Sequence, residues 1–237
     1  MLLRFFLCKL ILGFAFLCFS FVSIGLNSAS AEVNIERDTI LKMKNAYPTR
    51  DEYVYLPGFC RVKIEEMGSN DLSVRGKLSP QLAREKQVWV NKMGADTYHY
   101  SHHFCSGMNH IGRFERSLKM GFGSRNKPTK FQKATLAKAV GDFRMIEPPY
   151  LKFNSPLYAE SVKLHAKALH LLGRMPEAIK KIKEGIAARP TSSTLYLYYA
   201  EILLESGNKA QAKKVLEWGY KRTNGSPKIS KMLSGLN

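Results

Sequence analysis

The sequence predicts an all-α protein built from antiparallel helix pairs. Three observations predict it. Between Leu157 and Tyr220 apolar residues recur at helical spacing. Small residues return at an interval of 34, with Ala166 recurring as Ala200, Gly173 as Gly207, Ala178 as Ala212 and Gly185 as Gly219. Gly and Pro stand where such helices must stop and restart.

In chain order, the first segment (1–31) has the pattern of an export signal. Arg4 and Lys9 precede an uncharged apolar run from Leu10 to Leu26. Ala29-Ser30-Ala31 then supplies the small-x-small site a signal peptidase accepts. Cleavage after Ala31 would leave a periplasmic or secreted chain. The apolar run is also about long enough to span a bilayer, so an uncleaved membrane anchor is the alternative. Cys18 follows the bulky Leu17, which argues against a lipid anchor.

Residues 32–98 read as irregular. Ile40 to Ala46 suits a short helix. Tyr53-Val54-Tyr55-Leu56 is β-prone and is broken by Pro57-Gly58. Ser79 to Lys92 suits a helix, with Ser79 as cap, Pro80 in the first turn and Trp89 as apolar anchor. Residues 99–148 read as a diverged helical pair, His99 to Lys119 and Pro128 to Phe143, joined by a loop from Gly121. Pro148-Pro149 marks the division from the regular part.

Residues 149–226 hold two repeats, about 159–192 and 193–226. Leu157, Val162, Leu164, Ala166, Leu169 and Leu172 form one apolar stripe. Gly173 can take the left-handed conformation that ends a helix, and Pro176 fits the first turn of the next. Ala178, Ile179, Ile182 and Ile186 form the second stripe, and Pro190 stops it. Tyr196 to Leu204, a turn at Gly207, and Ala210 to Tyr220 repeat the plan. Residues 227–237 hold a short last helix, Lys228 to Leu236, whose polar outer side suits capping.

This period and these residue types resemble the tetratricopeptide repeat. The resemblance implies a solenoid of stacked helix pairs. In that family a small residue sits where paired helices touch (Ala166, Ala200), a Gly makes the turn (Gly173, Gly207), and an Ala opens the second helix (Ala178, Ala212). A Pro often starts the next unit, and Pro190 stands there. The first helix of each pair lines a concave groove. Carried over, the groove positions are Glu160, Lys163, Lys167, His170, Leu197, Glu201, Leu204 and Glu205. Lys163 matches the Lys of the family's carboxylate clamp. The clamp's Asn positions hold Lys167 and Tyr198 here, which counts against a chaperone-tail clamp. Taken locally, Glu160 with Lys163 and Lys167 is a ladder that solvates a helix. Tyr199 is expected in the interhelix core, and one of Tyr196 and Tyr198 exposed for stacking on sugar or peptide.

The formal net charge is +18, and loss of Arg4 and Lys9 with the signal would lower it by two. Residues 151–237 carry 15 Lys/Arg against 6 Asp/Glu, so the excess is spread through the regular part and is no tail. Such a surface attracts polyanions. For an exported chain the expected partner is a protein of the cell envelope, with an acidic glycan or envelope polymer as the alternative, rather than nucleic acid.

Past residue 31 the chain keeps two cysteines, Cys60 and Cys105. In an oxidising compartment an isolated pair reads as one disulfide. A second reading uses the histidines. On a helix His99 and His103 share a face and His110 returns to it. With Cys105 or Cys60 they would make an N/S metal set. Tyr100 stands where a zinc-protease helix needs Glu, and no cofactor is expected. The segments Leu56-Pro57-Gly58-Phe59-Cys60 and His102-His103-Phe104-Cys105-Ser106-Gly107 are similar to a recurrent pair in exported bacterial tetratricopeptide proteins. That resemblance implies a Cys60–Cys105 bridge and no activity.

No catalytic set is visible, and the chain is not expected to be an enzyme. There is no Gly-x-Ser-x-Gly elbow. Cys105 with His102 lacks a third, orienting group. Gly121-Phe122-Gly123-Ser124-Arg125 lacks the Lys-Ser/Thr of a phosphate loop. Glu65-Glu66 sit in polar surroundings and look solvated.

Overall fold

The computed structural model describes residues 48–67 and 78–236. The export signal, its cleavage point after Ala31 and the helix expected over Ile40 to Ala46 lie outside them. The described residues form helices and no strand: α1 Arg50–Tyr53, α2 Gly58–Met67, α3 Pro80–Met93, α4 Ala95–Lys119, α5 Lys130–Lys152, α6 Tyr158–Leu171, α7 Met175–Ala188, α8 Ser193–Glu205, α9 Lys209–Arg222 and α10 Pro227–Ser234. From α4 onward each helix packs against the next. The alternate helices α4, α6, α8 and α10 also touch in succession. Among the described residues no helix is long and apolar enough to cross a membrane.

The recurring small residues have visible work. Gly173 (φ 77°) and Gly207 (φ 75°) end α6 and α8 in the left-handed conformation. After each, the next amide bonds back across the turn, Arg174 to the Leu169 carbonyl and Asn208 to the Leu203 carbonyl. Ala166, Ala178, Ala200 and Ala212 are wholly buried. A Cβ on Gly185 would lie 2.6 Å from Val162, and one on Gly219 would lie 2.6 Å from the Tyr196 ring. The contacted residues, Val162 and Tyr196, are themselves 34 apart. The interval therefore marks sites where helix axes come too close for a side chain.

The α4–α5 pair uses the same device once. A Cβ on Gly107 would sit 2.7 Å from the Phe143 ring. Elsewhere the N-terminal helices rely on other ties. Cys60 of α2 and Cys105 of α4 are bonded, with Cα atoms 5.4 Å apart. Glu52 of α1 is buried against α4. Arg113 donates to its two oxygens at 2.8 Å each, Asn109 donates at 3.1 Å and Arg116 at 3.1 Å. Trp89 of α3 meets the Phe59 ring edge-on at 5.8 Å.

One local propensity is overridden and one expected boundary is absent. Tyr53 to Leu56 are not extended: Tyr53 closes α1, and Val54 and Tyr55 form a turn. The Thr49 amide donates to Glu52 at the start of α1, and Arg113 holds that carboxylate, so a tertiary tie overrides the β-prone run. Pro148-Pro149 does not divide the chain either, because α5 runs through both. The prolines deprive the Arg144 and Met145 carbonyls of their helical donors. Arg144, Met145 and Pro148 are exposed, so that side of the helix is open to water, which satisfies the freed groups. The Ser79 cap behaves as expected, accepting from the Leu82 amide at 3.3 Å.

Candidate functional site

The length of α6, the length of α8 and the loop between α4 and α5 enclose a groove of about 900 Å³. Lys163, Lys167, His170, Leu197, Glu201 and Glu205 all line it, as does Glu160. Leu204 does not, and packs against the core instead. The short turns Leu172–Arg174 and Arg189–Ser192 reverse the chain twice, so α6 and α8 run in the same direction. Their polar flanks then face one space.

The charges in the groove are partly tied. Lys163 pairs with Glu160 at 2.5 Å and His170 with Glu205 at 3.3 Å. Lys167 does not join Glu160 in a ladder. It reaches across to Glu115 of α4 at 2.5 Å, a partner 52 residues away that no local spacing could reveal. Burial raises the Glu201 carboxyl above its ordinary value; Lys163 pulls it down, Glu205 pushes it up, and Lys167 pulls it down. Burial, reinforced by Glu205 and Glu201, also pushes the Tyr198 hydroxyl up.

Several lining residues come from outside the expected positions. Arg125 and Asn126 enter from the α4–α5 loop, Lys133 from the first turn of α5, and Lys228 from α10. Among the described residues Arg125, Lys133 and Lys228 have no carboxylate in ion-pair contact. The repeat does carry a signal for Lys228. Glu160, Thr194 and Lys228 all line the groove and are spaced by 34. Arg125 and Lys133 have no such signal. The expectation of an exposed tyrosine is not met. Tyr196 is wholly buried, its hydroxyl donating to the Pro190 carbonyl at 2.9 Å, and Tyr198 and Tyr199 are buried too.

The histidine cluster is dispersed. Cys105 is spent in the disulfide. His99 is exposed, edge-on to the Tyr100 ring at 5.0 Å. His103 Nδ1 lies 3.0 Å from Asp142 of α5. His110 is buried, and burial depresses its pKa to about 4. Its Nδ1 has no hydrogen-bond partner among the described residues. No three His, Cys, Asp or Glu side chains among those residues are grouped to hold a metal ion. The set of His99, His103 and Cys105 is thus not assembled. Glu66 is not simply solvated: Lys86 at 2.6 Å and Lys63 at 3.1 Å hold it.

Comparison with protein-family models, with curated proteins and with solved structures finds no match to this chain.

Proposed function

We propose that the chain is an exported scaffold of tetratricopeptide type that docks a protein partner in the α6–α8 groove. One observation carries it: the six positions Lys163, Lys167, His170, Leu197, Glu201 and Glu205, selected by repeat register, line a single cavity. The left-handed glycines and close-approach glycines at the same interval support the repeat itself. Export rests on the pattern before residue 31 and on the paired cysteines. The groove mixes cations, carboxylates and the apolar side of Leu197, which suits a polypeptide more than a small apolar ligand.

The test is affinity capture from envelope extract with wild type and with a Lys163→Glu/Lys167→Glu variant. The variant should lose the wild-type partner while helicity by circular dichroism stays intact. Equal capture by both would remove the groove from the function.

A further inference from the structure

The positive charge is unevenly placed. From residue 159 to residue 207 there are seven Lys/Arg against five Glu, whereas from residue 209 to residue 236 there are seven against one. This second stretch is α9 and α10. Ala212, Val215, Leu216 and Gly219 form the buried side of α9. Trp218 lies on its flank, 43% exposed. Lys214, Lys221 and Arg222 stand four before, three after and four after it, all exposed and on neighbouring turns. Among the described residues neither Lys214 nor Lys221 has a carboxylate in ion-pair contact.

The indole is held in place. Tyr196 meets it at 5.2 Å, nearly perpendicular, and the Arg222 guanidinium lies 5.7 Å from its centre. Tyr196 is itself wholly buried and fixed by the bond to Pro190. A large aromatic is thus kept half in water on a fixed base, within a cluster of cations.

We infer that this flank of α9 is a second docking surface, distinct from the groove, for an acidic polysaccharide of the uronate class. Lys214, Lys221 and Arg222 complement the negative charge of such a chain, and the exposed part of Trp218 offers apolar surface to a pyranose ring. A lipid surface fits less well. The other exposed aromatic of α9, Tyr220, stands two residues from Trp218 and so on a different side of the helix, which leaves no continuous apolar face to insert. The surface does not depend on the groove reading.

The experiment uses the chain with its disulfide intact and immobilised polygalacturonate, with neutral dextran as control. Wild type should bind the first and not the second. Lys214→Glu/Lys221→Glu should weaken binding by roughly tenfold or more. Trp218→Leu, which keeps charge and an apolar contact to Tyr196, should weaken it by about fivefold. Circular dichroism verifies folding of each variant. An unchanged affinity in Trp218→Leu would overturn the site, because bulk charge alone would then explain retention. So would an equal loss in Lys163→Glu/Lys167→Glu. Tighter binding to phosphatidylglycerol vesicles or to single-stranded DNA would assign the surface to a different partner and end the proposal.

Discussion

The helices before and after Tyr158 are held by different means. In α6 to α9 the helices approach through missing side chains, Gly185 against Val162 and Gly219 against Tyr196. In α1 to α5 Gly107 against Phe143 works that way, and Gly58 against Trp89 does so less tightly. There a disulfide and a buried carboxylate with two arginines hold α1 and α2 to α4. Backbone proximity is a local property that recurs with the sequence. A covalent or ionic tie joins residues far apart and need not recur. The first region should therefore fail by redox or acid, and the second by steric insertion.

The largest expected effect is reduction of the bond between Cys60 and Cys105. Its separation of 45 residues corresponds to about 4 kcal/mol of chain entropy. Hydrogen exchange of α2 and α4 should rise in reductant while α6 to α9 keep their protection. Equal loss in both regions would mean they unfold as one unit.

Acid is the next. His110 titrates near 4 when folded and near its ordinary value of 6.5 when unfolded. Between these values the unfolded chain binds more protons, so stability falls as pH drops from 6.5 toward 4. The full contribution, about 3 kcal/mol, is present above 6.5. Glu52 acts lower. Burial alone would raise its carboxyl, but hydrogen bonds from Arg113, the Thr49 amide and Asn109 outweigh burial and set it to about 2, against 4.5 unfolded. Its contribution is present above 4.5 and lost as pH falls toward 2. Denaturant titrations from pH 7 to 4 should show this slope, and His110→Phe should flatten it.

Steric insertion should cost somewhat less. Gly219→Val pushes a branched side chain into the fixed Tyr196 ring and should destabilise by about 2 kcal/mol. Urea unfolding checks it, and the loss should appear in oxidised and reduced protein alike. The smallest effect has the opposite sign. A Cβ on Gly141, inside α5, meets nothing within 4 Å, so Gly141→Ala should stabilise by about 0.5–1 kcal/mol.

The same contrast explains what could be read from sequence. Gly173, Gly207 and the four buried alanines announce themselves because each acts on its own helix or the next. The groove positions on α6 and α8 followed from that register. Glu115 with Lys167, Asp142 with His103, and Glu52 with Arg113 are single long-range pairs with no period, and nothing local points to them. Pro148-Pro149 misled for another reason. A proline ends a helix where its freed carbonyl would be buried, and whether that side faces water is a tertiary fact.

The position of α10 also has a consequence. Its Ile229 is buried, as Leu195 is 34 residues earlier, so α10 takes the place a further pair would begin. Yet Lys228, Ser230, Lys231 and Ser234 are exposed. Another molecule laid end to end would have to strip water from two ammonium groups and two hydroxyls before gaining any apolar contact. Association through this face of α10 is therefore disfavoured, and protein prepared at high concentration should not grow into filaments by way of it.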